Sequence, residues 1–442
     1  MTEVVGEQTV ADFPWKKYLP WIMLAALLMF GWNLRAYHLD YPVVGYHNWK
    51  ESHYLTEARN FAREGFFAHG FFVPAWDLPF VNEDLSGAHA DTFPTISVLG
   101  ALVYRVFDGD LGALRGIGVI LNLASMVVFY LLIKRLFKRE DLALTSAALF
   151  ALNPLMIFFS RNFQLDSPAL FFVLLGTYSL VRWIEHDRPK WFILAALFTV
   201  LGIVTKYSFV VMAFPFLVMF PYRRLWEWKA RLKTFVPAAG FGFLFILWFW
   251  YMEFFFKNKI KQLYGVAGGA VISISEMINL TEVFTPTFWM AMKSFMADNF
   301  TIAGMLIASG GFFLLAYRYI IQRQTTLGNK YIFFYGAFGI LFTIILASKL
   351  GGHSYHQFPY APLIVFLIAY AFVVIASTIG SLVKIPHVSW IVIALLIGTL
   401  WVPTTAALDR QFGTIFPGLD AAGRYVNEHS APDERIMHSS HQ

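Results

Sequence analysis

Residues 116–140 read GIGVILNLASMVVFYLLIKRLFKRE. The stretch from Gly116 to Ile133 carries no charge and only Asn122, Ser125 and Tyr130 as polar side chains. Its length is close to the ~20 residues a helix needs to cross ~30 Å of hydrocarbon. Four cations, Lys134, Arg135, Lys138 and Arg139, then fall within six positions. An apolar run closed by such a block reads as a spanning helix that meets the cytoplasmic surface.

Ten further runs have the same character: Tyr18 to Leu34, Leu142 to Phe159, Pro168 to Ile184, Trp191 to Val204, Phe209 to Phe220, Thr234 to Met252, Thr301 to Tyr319, Tyr331 to Ser348, Pro362 to Ser381 and Val388 to Leu408. The expected fold is therefore an all-α polytopic membrane protein with about 11 transmembrane helices (11–13), since the two short runs around Thr205-Lys206-Tyr207 leave the count open. Composition agrees. Of 442 residues 58% are hydrophobic and only 14% charged, about half the charge that covers a soluble globule. Disorder, collagen and coiled coil are excluded. The absence of cysteine removes disulfides, thiolate nucleophiles and Cys-ligated metals.

With the amino terminus inside, the odd-to-even connections hold Lys16, Lys17, the 134–139 block, Arg182, Arg188, Lys190, Arg223, Arg224, Lys229, Arg231, Lys233, Arg318, Arg323, Lys330 and Lys384. That is more than half of the 34 basic residues, so the net charge of +6 follows from the positive-inside rule and calls for no nucleic acid. No small-residue cleavage site follows the first apolar run, so it reads as a retained span. The expected location is the inner or plasma membrane, multi-pass, with the amino terminus cytoplasmic and the carboxyl terminus outside. Two long connections then fall outside, 35–115 and 253–300, with short ones at 160–167 and 349–360. In the first, His47 to Glu64 reads as an amphipathic helix with Leu55, Ala58, Phe61 and Ala62 on one face, and a second helix begins near Thr92-Phe93-Pro94. Both are expected to lie in the interface. The division expected is a transmembrane module over 1–408 and an extracytoplasmic tail over 409–442, in which Ala421 to His429 reads as helix and Arg435 to His438 as strand. Thirty-four residues cannot close their own core, so the tail is expected to be part of a truncated domain or to pack on the outer loops.

Ionisable groups at a bilayer surface are costly enough to suggest function. Four clusters stand out on the outer side. His47 and Glu51 are four apart and share a helix face. Asp91 precedes Thr92-Phe93-Pro94, where Asp91 or Thr92 could simply cap the next helix. Arg161-Asn162-Phe163-Gln164-Leu165-Asp166-Ser167-Pro168 is an unusually polar turn between two apolar runs. Lys206, with His353 and His356, has no nearby route to snorkel into water. Carboxylates and cations collected on one face suit transfer of a sugar from a lipid phosphate. The leaving phosphate needs positive charge, and a carboxylate takes the proton of the attacking hydroxyl.

At these residues the sequence resembles the GT-C superfamily of glycosyltransferases, in the protein O-mannosyltransferase and aminoarabinose-lipid A transferase group (glycosyltransferase family 39-like). The resemblance is carried by Thr56-Glu57-Ala58-Arg59-Asn60, by Leu165-Asp166-Ser167-Pro168, by Gly202-Ile203-Val204-Thr205-Lys206 and by His353 to Pro362, in order along residues 15–440. Relatives usually place Asp-Glu at the start of the first interfacial helix. Here Lys50-Glu51 stands there, in a pattern closer to the branch that reads His-x-Trp-Arg-Gln. The base therefore stays open among Asp166, Glu51 and Asp91.

The resemblance implies an integral-membrane, inverting glycosyltransferase with a polyprenyl-phosphate donor and an unknown glycan, lipid or protein acceptor outside the membrane. Lys206, Arg161, His353 and His356 are expected to neutralise the departing phosphate, and His47, Tyr54 and Tyr355 to position acceptor or sugar. Aromatic side chains of the 253–300 loop would cover the sugar. Hard ligands among His47, Glu51, Asp91 and Asp166 would suit magnesium or manganese, but the resemblance argues against a required metal, and no cofactor is expected. The rival readings are a flippase or transporter for the lipid-linked sugar, and a non-catalytic membrane assembly subunit.

Overall fold

The computed structural model describes residues 15–68, 70–75, 89, 92–229, 231–256, 279–383, 385–431 and 434. Asp91, residues 257–278 and the strand expected at Arg435 to His438 lie outside the described residues. Among those described there is no strand, and an isolated bridge joins Gly45 and Ile415. The helices are α1 (Trp15–Ala36), α2 (Asn48–Glu64), α3 (Thr95–Phe107), α4 (Leu111–Phe137), α5 (Glu140–Leu152), α6 (Pro154–Arg161), α7 (Asp166–His186), α8 (Pro189–Thr205), α9 (Pro215–Met219) and α10 (Leu232–Trp250). They continue with α11 (Pro286–Phe300), α12 (Ile302–Ile320), α13 (Leu327–Ile345), α14 (Ala347–Gly352), α15 (Ala361–Val383), α16 (Val388–Thr399), α17 (Trp401–Gly413) and α18 (Leu419–His429).

The chain is a multi-pass membrane protein. Among the described residues, eight helical segments are long and apolar enough to cross a bilayer, or up to nine if a bent pair counts as one span. The remaining two expected runs fall on Pro189–Thr205 and Tyr207–Met219, which are apolar but short. Length and composition thus support eight or nine of the eleven expected spans.

The bent pair corrects a sequence expectation. Leu142 to Phe159 reads as one run, yet α5 and α6 meet at 55°. Asn153 precedes a proline, which disfavours helical backbone there, and its side chain instead accepts from Met156 N to cap α6, with Pro154 in the first turn. The break leaves carbonyls at the end of α5 without helical partners. Buried Arg35 of α1 takes that place: its guanidinium donates to Phe150 O and Ala151 O, and to Asn122 Oδ1 of α4. A cation is thus held against the negative end of α5.

The principal core joins α4, α5, α7 and α15, through residues such as Met126, Phe129, Phe150, Leu170, Val173, Phe366 and Phe372. Close approaches there need glycine. A Cβ on Gly118 of α4 would stand 2.4 Å from Ser160 O, and one on Gly202 of α8 would stand 2.3 Å from Val173 of α7. The second contact seats the last turn of α8 on the first turns of α7, and so fixes where the next residue, Lys206, emerges.

α4 runs from the end bearing Arg115 to the end bearing Arg135, and α7 from Asp166 to Glu185. Arg135 pairs with Glu185, so the cationic loops gather at one end of the bundle and the polar turn at 161–166 at the other. α2 is present where expected, and of its expected apolar face Ala58 and Phe61 are buried while Leu55 and Ala62 are half-buried; the burial extends beyond that face to Asn48, Glu51, Tyr54, Glu57 and Asn60. The carboxylates can go inside because partners wait for them on other elements. α3 starts at Thr95 with Pro94 at its N-cap and no side-chain cap, so Thr92 does not serve that role. Beyond α17, which runs through 408 to Gly413, the chain returns to the segment between α1 and α2, where Phe416 N donates to Val44 O at 2.7 Å.

Candidate active site

Asp166 opens α7 and Lys206 follows α8. Antiparallel packing at Gly202 brings them together. Lys206 Nζ donates to Asp166 Oδ1 at 2.6 Å, with the carboxylate buried and the lysine nearly so. The ammonium also lies 4.6 Å from the ring centre of Tyr355, close enough for a cation–π contact.

The segment after α14 supplies the opposite wall. His353 has extended backbone, and Ser354–Tyr360 then form a 3-10 turn. The His353 ring stacks on Tyr355 at 5.3 Å, and Tyr355 lies 4.6 Å from the His356 ring. α2 contributes the third wall. His47, held at positive φ as the helix begins, has its ring 4.9 Å from Tyr355 and 5.4 Å from His353, and its Nε2 lies 3.4 Å from Ser354 Oγ. Trp49 approaches His353 at 5.6 Å. Lys50 stands over the rings of Trp49 and Tyr54, and its charge is felt by Asp166, His47, His53 and His353. Five candidates read from the sequence, Asp166, Lys206, His47, His353 and Tyr355, thus form one cluster of contacting side chains, and His356 adjoins it. Lys50 is a member that sequence reading missed, although it sits inside the quoted His47 to Glu51 stretch.

The imidazoles are not the cations that the sequence suggested. Burial, with His353, Lys206 and Lys50 nearby, pushes the His47 ring down to about 3. Burial and three lysines, Lys50, Lys349 and Lys206, push His353 down as well. At neutral pH these rings are uncharged hydrogen-bonding groups, and the positive charge of the cleft comes from Lys206 and Lys50. The sign fixes a pH response. A depressed histidine leaves the folded protein unable to take the proton that the unfolded chain accepts near 6.5. The stability from neutral His47 is complete above that value and falls as pH drops from 6.5 towards 3, by at most about 1.4 kcal/mol per pH unit. Thermal unfolding at pH 7 and pH 5 should show the loss, and His47→Gln should reduce the difference between the two.

Glu51 and Arg161 lie in a separate knot. Glu51 Oε1 accepts from Arg115 Nε at 2.7 Å and from Phe163 N at 3.0 Å, and Oε2 accepts from Arg115 Nη2 at 2.9 Å. Arg115 also donates to the carbonyls of His38, Leu39 and Tyr41. Arg161 donates to His38 O at 2.8 Å and lies over the Phe412 ring at 4.6 Å. These contacts bind α2, α4, the 38–41 segment and the 161–163 turn. Tyr54 is buried with Ala58, Ile96, Leu114 and Phe163. Beside Tyr46, whose hydroxyl accepts from Ser354 Oγ at 3.3 Å, a cavity of about 510 Å³ is lined by Asp298, Asp409, Arg410 and Gln411. A cavity of about 490 Å³ at the other end, among Arg135, Lys138, Arg139 and Arg318, is a bundle-length away from the Asp166 pair.

Residues 89–252 match the family model for dolichyl-phosphate-mannose-protein mannosyltransferase. The match supports the GT-C assignment. It takes in Arg115, Asp166 and Lys206, while α2 and the His353 turn lie outside it. An uncharacterized protein of Aquifex aeolicus (strain VF5) is 26% identical over 265 residues, covering 57% of this chain and 48% of that protein. The shared stretch therefore spans about half the length of that relative.

Proposed function

We propose that the chain is an inverting glycosyltransferase that moves a sugar from a polyprenyl-phosphate donor to an acceptor on the extracytoplasmic face. The observation that carries this reading is the buried Asp166–Lys206 pair at the end of the bundle, remote from the cationic loops and walled by aromatic and neutral imidazole rings. The family match over the same residues agrees with it. The bundle end bearing Arg135, Arg139 and Arg231 would face the cytoplasm under the positive-inside rule, which puts the cleft outside.

In the reaction, the donor phosphate draws Lys206 away from Asp166, with Lys50 adding charge. The freed carboxylate accepts the proton of the acceptor hydroxyl, whose oxygen attacks the anomeric carbon from the side opposite the phosphate. The bond between that carbon and the phosphate oxygen breaks, and polyprenyl phosphate leaves beside Lys206. His353, as a neutral donor, would hold phosphate or sugar oxygens, and the Tyr46 cavity offers the acceptor a polar approach. Glu51, with both oxygens committed to Arg115 and Phe163 N, is a positioning residue. Asp166 is the base we assign.

Incubating the purified full chain with radiolabelled polyprenyl-phosphate sugar tests the reading. Acceptor-dependent release of free polyprenyl phosphate is expected. Donor that crosses vesicles intact, or remains unchanged with a range of glycan, lipid and peptide acceptors, would favour a flippase or an assembly subunit.

A further inference from the structure

A second polar cluster sits on α2 one turn beyond the cleft. His53 and Glu57 are four apart on the helix, and the loop before α3 brings His89 over them, with His89 N bonded to Pro74 O. His53 Nε2 lies 2.7 Å from Glu57 Oε1, His89 Nδ1 lies 2.7 Å from the same oxygen, and the two nitrogens are 3.0 Å apart. All three side chains are largely shielded from solvent, and Glu57 is fully buried.

Protons alone do not satisfy this triangle. If both nitrogens carry hydrogen, both donate to Oε1 and the 3.0 Å contact between them sets donor against donor. If either nitrogen is bare, its lone pair faces a carboxylate oxygen at 2.7 Å. With Glu57 ionised, every imidazole tautomer leaves one repulsive edge. A cation shared by three lone pairs makes all three edges favourable.

We propose that His53, Glu57 and His89 form a transition-metal site, with zinc as the occupant. Two imidazoles and one carboxylate are the donor set of open zinc sites, whose ligands lie about 2.0–2.2 Å from the metal. Magnesium and calcium, which prefer an all-oxygen shell, are disfavoured. The surroundings fit a built site. Ser97 of α3 donates to Glu57 Oε2 at 2.6 Å, the kind of outer contact that orients a ligating carboxylate. The ion would clamp the pre-α3 loop onto α2. That loop continues to Phe93, whose N donates to Val204 O, and to Thr95, whose hydroxyl meets Thr205 at 2.5 Å. Both contacts adjoin Lys206. The metal is thus a positioning element at the rim of the cleft, and the proposal stands whether or not the transferase reading holds.

The test is metal content and metal-dependent stability of the purified full chain. Protein stripped with a chelator and then dialysed against zinc is expected to retain about one zinc per chain by elemental analysis and to gain several degrees in thermal midpoint. His53→Asn, Glu57→Gln and His89→Asn should each cut retained zinc at least tenfold, and Asp166→Asn should leave it unchanged. Cobalt in place of zinc should give visible d–d absorption. Wild-type protein that retains less than a tenth of an equivalent after reconstitution, with no zinc-dependent shift in midpoint, would overturn the proposal. That criterion needs none of the variants to fold.

Discussion

Replacing Asp166 by asparagine is expected to lower kcat by about 10²- to 10⁴-fold, the range for removing a general base, with a much smaller change in donor KM. The amide keeps the shape of the carboxylate but accepts no proton, and it leaves Lys206 without its 2.6 Å partner. Breaking a largely buried pair from one side also costs stability, so the single variant mixes two effects. The Asp166→Asn, Lys206→Met double variant separates them. It should recover thermal stability, because no unpaired charge remains, while activity stays lost. Activity that returns with stability would show that the carboxylate serves only as a counter-ion.

The second large effect concerns Glu51 and predicts the opposite pattern. Arg115→Met leaves a buried carboxylate facing Phe163 N alone, and should destabilise the fold by about 3–5 kcal/mol, the usual cost of removing one partner of a buried ion pair. Glu51→Gln should do nearly as much damage, and pairing Glu51→Leu with Arg115→Met should restore most of the loss. Unfolding midpoints in detergent read this directly. A Glu51→Gln protein with unchanged midpoint and abolished transfer would move the base from α7 to α2.

The contrast between these carboxylates marks where the sequence stops being informative. Spans are legible because hydrocarbon permits so little: eight or nine of the eleven apolar runs fall on helices long and apolar enough to cross, and the two runs around Lys206 are too short to count among them. The turn at Asp166 draws attention for a similar reason, since four polar side chains stand between apolar walls, although an aspartate that opens a helix could also serve only as a cap. The Asn153-Pro154 break, by contrast, lies inside an apolar run that masks it, although proline after asparagine is a strong local signal. Glu51 and Glu57 differ only through partners far along the chain. Arg115 is 64 residues from Glu51, and His89 is 32 from Glu57; no local pattern specifies those pairings. The His53 and Glu57 spacing equals that of His47 and Glu51, so the same four-residue motif recurs six positions further along the chain. Histidine charge was misjudged for another reason: a sequence shows the ring, whereas its proton affinity depends on burial and on lysines brought in from α8 and the 349–356 segment.

The central claim is that Asp166 and Lys206 hold one substrate between them. Cryo-electron microscopy of the full chain with a non-transferable donor, a polyprenyl phosphonate sugar, tests this most directly. The account predicts the phosphonate within hydrogen-bonding distance of Lys206 Nζ, the anomeric carbon beside the Asp166 carboxylate, and the prenyl tail running between helices into the hydrocarbon. Density for the phosphonate at the Arg135, Arg139 and Arg318 cavity, or at the Arg115 and Arg161 knot with Asp166 and Lys206 still paired, would contradict it.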